Sequence, residues 1–173
     1  PLLSIVQAAG WPIWFLILAS FVTAALIVER SLSLRRRRIL PSGALDEILT
    51  LYRNRQITPE MIQRTERSSP LGRGLANGLR HDLEPREMMK DALEESGRAV
   101  AHSLEKYLPA LGTLATVSPL LGLFGTVIGM IEIFGAQTGG GTNPGQLAHG
   151  ISIALYNTAF GLIVAIPAMI FYR

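Results

Sequence analysis

Two threonines raise the chemical question. Thr126 falls in the series Gly112, Ala115, Pro119, Gly122, Thr126 and Gly129, and Thr158 in the series Gly150, Ala154, Thr158, Gly161 and Ala165. Steps of three and four gather residues on one helical face, so each series makes a smooth strip with a single hydroxyl in it. A hydroxyl both donates and accepts hydrogen bonds, so it can hold a water or solvate an acid that alternates between protonated and charged forms. That is the chemistry of a wall beside an ion path. The plainer reading is that small residues, Gly125 among them, let helices approach closely while each threonine bonds its own backbone. Two matched strips favour the wall.

The stretches around these threonines contain nothing that carries charge near neutral pH. Residues 1–28, 107–131 and 150–172 carry no charged side chain. A proton relay through hydrocarbon needs an ionisable group near mid-depth. If this chain conducts protons, a companion must bring the carboxylate, most simply on a single transmembrane helix. Glu132, near the outer end of the second apolar stretch, can draw cations to a pore mouth or sit among headgroups. Glu29, at the inner end of the first, can face a proton exit or pair with Arg30. His149 reads as a polar anchor, Asn157 as a hydrogen-bonding group between subunits, and Trp11 and Trp14 as an aromatic belt.

Other chemistries find no residues. The sequence has no phosphate-binding Gly-x-x-x-x-Gly-Lys loop, no His-Glu-x-x-His pair and no nucleophile elbow, and its cysteine count is zero. No catalytic residue, metal ligand, cofactor or nucleic-acid partner is expected, and the chain is not expected to be an enzyme.

The elements that must position the threonines are membrane helices. About half of the 173 residues are hydrophobic and 17% are charged, and each uncharged stretch exceeds the roughly 20 residues that cross the bilayer. The fold class is all-α: an integral membrane protein with three transmembrane helices and a helical cytoplasmic insert. Residues 1–29 form the first span, 30–106 the insert, 107–134 the second span, 135–147 a periplasmic loop and 148–172 the third span. Arg35, Arg36, Arg37 and Arg38 follow the first span and read as lipid-headgroup contacts on the cytoplasmic side. The N-terminus is therefore periplasmic and the C-terminus cytoplasmic. The first span lacks a basic start and a small-residue cleavage site, which argues against a cleaved leader. Both ends are expected to be trimmed.

Within the insert, Leu45, Ile48, Leu49 and Tyr52 give helical spacing over residues 44–55, and Thr58-Pro59-Glu60 and Ser69-Pro70 look like capped helix starts. From Pro85 onward a helical period continues toward the second span. One helix over residues 86–134 is expected, continuous from cytoplasm to membrane, with Pro109 and Pro119 as candidate kinks. Gly139-Gly140-Gly141 reads as a flexible turn.

These residues resemble a known family. Residues 119–129, Pro-Leu-Leu-Gly-Leu-Phe-Gly-Thr-Val-Ile-Gly, resemble the second-span signature of ExbB and TolQ proteins in the MotA/TolQ/ExbB group. Residues 150–167 resemble their third-span signature, Gly-Ile-Ser-x-Ala-Leu-x-x-Thr-Ala-x-Gly-Leu-x-x-Ala-Ile-Pro. The resemblance implies a bacterial inner-membrane subunit of a proton-motive-force-driven motor. It implies a homopentamer around ExbD- or TolR-like single-span partners that carry an intramembrane aspartate, with Thr126 and Thr158 facing the pore. It further implies that the complex energises a TonB-like periplasm-spanning protein for outer-membrane uptake. A TolQ-like envelope role, a MotA-like stator and a passive scaffold without conduction are the alternatives. One position departs from the pattern: where many ExbB and TolQ proteins have glutamate after Gly-Ile-Ser or Gly-Ile-Ala, this chain has Ile153, which moves the ion-handling burden to the partner's acid.

Overall fold

The computed structural model describes residue 6 and residues 9–81, 83–136 and 144–173. Every regular element among them is an α-helix: α1 Pro12–Ser33, α2 Arg36–Ile39, α3 Ala44–Arg53, α4 Pro59–Ser68, α5 Pro70–Arg80, α6 Arg86–Glu105, α7 Leu108–Ala136 and α8 Pro144–Tyr172. The chain divides into two compact units, Pro1–Glu29 with Tyr107–Arg173, and Arg30–Lys106. Among the described residues three helices are long and apolar enough to cross a membrane: Pro12–Ser33, the apolar part of Arg86–Gly135, and Pro144–Tyr172. At 1.5 Å per residue α7 and α8 are each about 43 Å long, more than the roughly 30 Å of bilayer hydrocarbon.

In the first unit α7 and α8 lie against one another, and residues of α1 join them. Leu111, Ala115 and Ala168 form a buried cluster flanked by Leu26 and Ile27. On α1 the buried positions Ile13, Leu16, Ala19 and Thr23 recur at helical spacing. The opposite faces expose large apolar side chains, among them Leu18, Phe21, Leu120, Ile163 and Ile170. Hydrocarbon, or another apolar helix, is the surrounding that such faces suit.

Three boundaries differ from the sequence expectation. The first helix long enough to span begins at Pro12, where Gly10 turns the backbone at φ +78° and proline suits the first helical position, and it runs on to Ser33 rather than ending at residue 29; most of residues 1–8 lie outside the described residues. The expected helix over 86–134 is present as α6 and α7, interrupted at Lys106 and Tyr107. Lys106 is extended, with ψ 132°, and Tyr107 takes φ +74°. Pro109 explains the interruption, since it has no N–H for the Glu105 carbonyl and its ring would strike that carbonyl in a continuous helix. By contrast, α7 runs on through Pro119. Finally, α7 and α8 reach into the expected loop at 135–147 from both sides; its glycine turn falls in residues 137–143, outside the described residues.

The second unit is built on α4, α5 and α6. Thr58 and Ser69 cap α4 and α5 as expected, accepting hydrogen bonds from the backbone N–H groups of Met61 and Gly72 at 3.3 and 3.0 Å. Helix α3 ends at Arg53, two residues short of the expectation, with Arg55 at φ +53°. The α5–α6 contact rests on small residues: a Cβ at Gly78 would lie 2.3 Å from Leu93 Cδ2. Beside it, Asn77 Nδ2 donates to Ser96 Oγ at 2.6 Å and to the Ala92 carbonyl at 3.3 Å.

Candidate functional site

The α7–α8 seam is made of glycines in backbone contact. A Cβ on Gly122 would lie 2.7 Å from the Asn157 carbonyl oxygen, and one on Gly161 would lie 2.6 Å from the Ser118 carbonyl oxygen. A Cβ on Gly125 would meet Asn157 Cβ at 2.8 Å, and one on Gly129 would meet Ala154 Cβ at 3.1 Å. Real side chains do not tolerate the shortest of these distances, so the spacing of small residues sets the separation of the two helices. Gly122, Gly125, Gly129, Ala154 and Gly161 all lie along this seam, and Ala165 is buried as well.

The buried face is turned by about one position from the strip read in sequence. On α7 the buried residues are Leu111, Ala115, Ser118, Gly122 and Gly125, and on α8 they are Ala154, Asn157, Gly161, Val164, Ala165 and Ala168. Ser118 and Asn157, rather than Pro119 and Thr158, occupy the centre. Thr126 and Thr158 stand at the edge of the seam, each partly exposed.

At that edge the two hydroxyls meet. Their Oγ1 atoms are 2.5 Å apart. Thr126 Oγ1 also lies 3.1 Å from the Ala154 carbonyl and 3.2 Å from that of Gly122, and Thr158 Oγ1 lies 3.4 Å from the Gly122 carbonyl. Two hydroxyl protons therefore have two consistent arrangements. Thr158 can donate to Thr126, which then donates to Ala154. Alternatively Thr126 donates to Thr158, which then donates to Gly122. In both, each hydroxyl keeps a spare lone pair. The pair sits midway along α8 and well inside α7, with no carboxylate, histidine, lysine or arginine between positions 107 and 131 or between 150 and 172.

Three further polar atoms are buried in this unit without a hydrogen-bond partner among the described residues: Thr23 Oγ1, Ser118 Oγ and Asn157 Oδ1. Asn157 Nδ2 donates instead to the Ala9 carbonyl at 2.9 Å. The asparagine expected to bond between subunits thus ties residue 9 to the centre of α8 within one chain. Sequence reading passed over Ser118 and Thr23, although Ser118 shares the seam's spacing with Ala115, Gly122 and Gly125.

The remaining candidates lie elsewhere. Glu132 is exposed on the last turns of α7 and lines a cavity of about 280 Å³ with Gly129, Ile153 and Ala154. It is the one carboxylate among the described residues of that lining, on which Ile153 presents only hydrocarbon. Glu29 is half-buried at the end of the first unit. Arg35, Arg36, Arg37 and Arg38 are exposed, the last three in the single turn of α2.

The chain is thus a three-span α-helical membrane protein in which two long helices meet over glycine and present paired hydroxyls midway along the third span. Residues 66–173 match the model of the MotA/TolQ/ExbB proton channel family. The chain is 33% identical over 168 residues to "Biopolymer transport protein exbB1" of Vibrio cholerae serotype O1, covering 94% of this chain and 74% of that protein. It is 31% identical over 157 residues to "Putative biopolymer transport protein ExbB-like 3" of Synechocystis sp., covering 88% of this chain and 74% of that one. This protein belongs to the MotA/TolQ/ExbB proton channel family and is a multi-pass membrane protein of ExbB type.

Proposed function

We propose that this chain is an ExbB-like subunit that harvests the proton-motive force in the bacterial inner membrane. An ExbD-like partner with one span lends the titrating aspartate, and the complex energises a TonB-like protein for outer-membrane transport. The observation that carries this reading is the Thr126–Thr158 pair, 2.5 Å apart in apolar helix segments that hold no carboxylate, histidine, lysine or arginine around it. A protonated carboxylic acid beside the pair can donate to its spare lone pair. When the acid ionises, a hydroxyl that turns out of the pair can donate to the carboxylate. The wall thus serves both states of a travelling acid without carrying charge itself. Each proton falling through 100 mV releases roughly 2.3 kcal/mol, so mechanical output takes several protons per cycle.

The ExbB names of the relatives favour this role over TolQ-like or MotA-like service. The glycine seam alone would equally serve a passive scaffold, since close helix approach needs no hydroxyl. Reconstitution with the single-span partner in vesicles separates the two. Proton flux is expected to depend on the partner's aspartate and to fall roughly tenfold or more in Thr126→Val and Thr158→Val, the scale of one charge-assisted hydrogen bond. Unchanged flux in both variants would remove the threonines from the path, and absence of aspartate-dependent flux would favour the scaffold.

A further inference from the structure

Four arginines from four separate elements converge on one cavity of the second unit. Arg30 in the last turn of α1, Arg38 in α2, Arg67 near the end of α4 and Arg73 in the first turn of α5 line a space of about 400 Å³. No acidic side chain is among the described residues that line it. Arginine stays charged under all ordinary conditions, so this lining gathers positive charge that an incoming anion would help to balance. The same domain pairs arginine with acid where acid is at hand, as in Arg80 with Glu66 and Arg98 with Glu94. Arg38, Arg67 and Arg73 make no ion pair among the described residues.

The cavity is also fixed in shape. Arg30 is 8% exposed, and its guanidinium donates to the Leu104 carbonyl at 3.0 Å. A Cβ on Gly72 would lie 2.1 Å from the Thr65 carbonyl oxygen, so only glycine lets the start of α5 fold back on α4 and bring Arg67 and Arg73 to the same corner. The hydroxyls of Ser33 and Ser103 stand on the lining, and Ser69 caps α5 there, turning the positive end of that helix toward the cavity.

We propose that this cavity binds a phosphate group, which guanidinium forks match in shape and charge. Arg30 and Ser33 end the first membrane-spanning helix, so an anionic phospholipid headgroup is one source of that phosphate and a soluble phosphate the other.

The test uses the full chain in nanodiscs, either of phosphatidylcholine alone or with phosphatidylglycerol added. Retained lipid is counted by native mass spectrometry. Inorganic phosphate is titrated against the protein in the phosphatidylcholine discs, with chloride at matched ionic strength, and followed by melting temperature. The variants are Arg67→Gln with Arg73→Gln, both exposed, and a control of equal charge change outside the cavity, Arg53→Gln with Arg86→Gln. Helicity and assembly of each are checked by circular dichroism and size. Selective phosphatidylglycerol retention, lost on the order of tenfold in the cavity variant and kept in the control, assigns the headgroup. Saturable stabilisation by phosphate in the phosphatidylcholine discs, lost in the same variant alone, assigns the soluble source. The proposal is overturned if neither ligand binds, or if the control variant loses as much as the cavity variant.

Discussion

Thr126 and Thr158 share their two protons with the carbonyls of Gly122 and Ala154. Their neighbours Ser118 and Asn157 have buried oxygens with no partner among the described residues. These two groups should respond differently to loss. Ser118→Ala removes a hydroxyl that makes no bond, so the melting temperature in nanodiscs is expected to stay level or rise. Asn157→Ala also strips the Ala9 carbonyl of its donor and empties a fully buried site, and about 1–3 kcal/mol of stability is expected to go with it. Equal destabilisation of the two would mean that Ser118 Oγ has a bound partner, such as a water. The threonines were legible in sequence because a hydroxyl stands out in an apolar, small-residue strip. Ser118 and Thr23 were not, since nothing in a sequence says whether a buried hydroxyl will find an acceptor.

At the scale of elements, capping signals were read almost to the residue: Thr58-Pro59 and Ser69-Pro70 open α4 and α5 because a side-chain oxygen and a proline each answer a need of the first turn. The rotation of the α7–α8 seam was missed by one position. A strip spaced by threes and fours spreads over a wide arc, and the actual contact follows the glycines whose backbones touch. Glycine should therefore matter by location. Gly122→Ala or Gly161→Ala drives a methyl into a facing carbonyl oxygen and is expected to cost about 1–3 kcal/mol, with weaker α7–α8 association. Gly97→Ala, inside α6 with nothing within 4 Å of the added Cβ, is expected to stabilise by about 0.5–1 kcal/mol through helix propensity. Thermal melting of the three variants side by side decides it, and a neutral Gly122→Ala would mean that the helices do not hold this approach.

At the scale of the whole molecule, three apolar helices and one charged domain were plain from the distribution of charge, which is why the class of fold was readable before any motif was weighed. The break at Lys106–Tyr107 was legible only as a candidate kink at Pro109, because the helical period of apolar residues runs on across it and proline acts through a single missing N–H. Orientation rests on the arginines at positions 35–38 and on the absence of acid or base from residues 133–147. The chain has no cysteine, so single substitutions report topology without background. Asn54→Cys and Gln146→Cys both place a thiol at an exposed site. In spheroplasts an impermeant maleimide is expected to label Cys at 146 directly and Cys at 54 only after lysis. The reverse pattern would put the arginine cluster outside against the charge rule, and Glu29 rather than Glu132 would then stand at the periplasmic mouth.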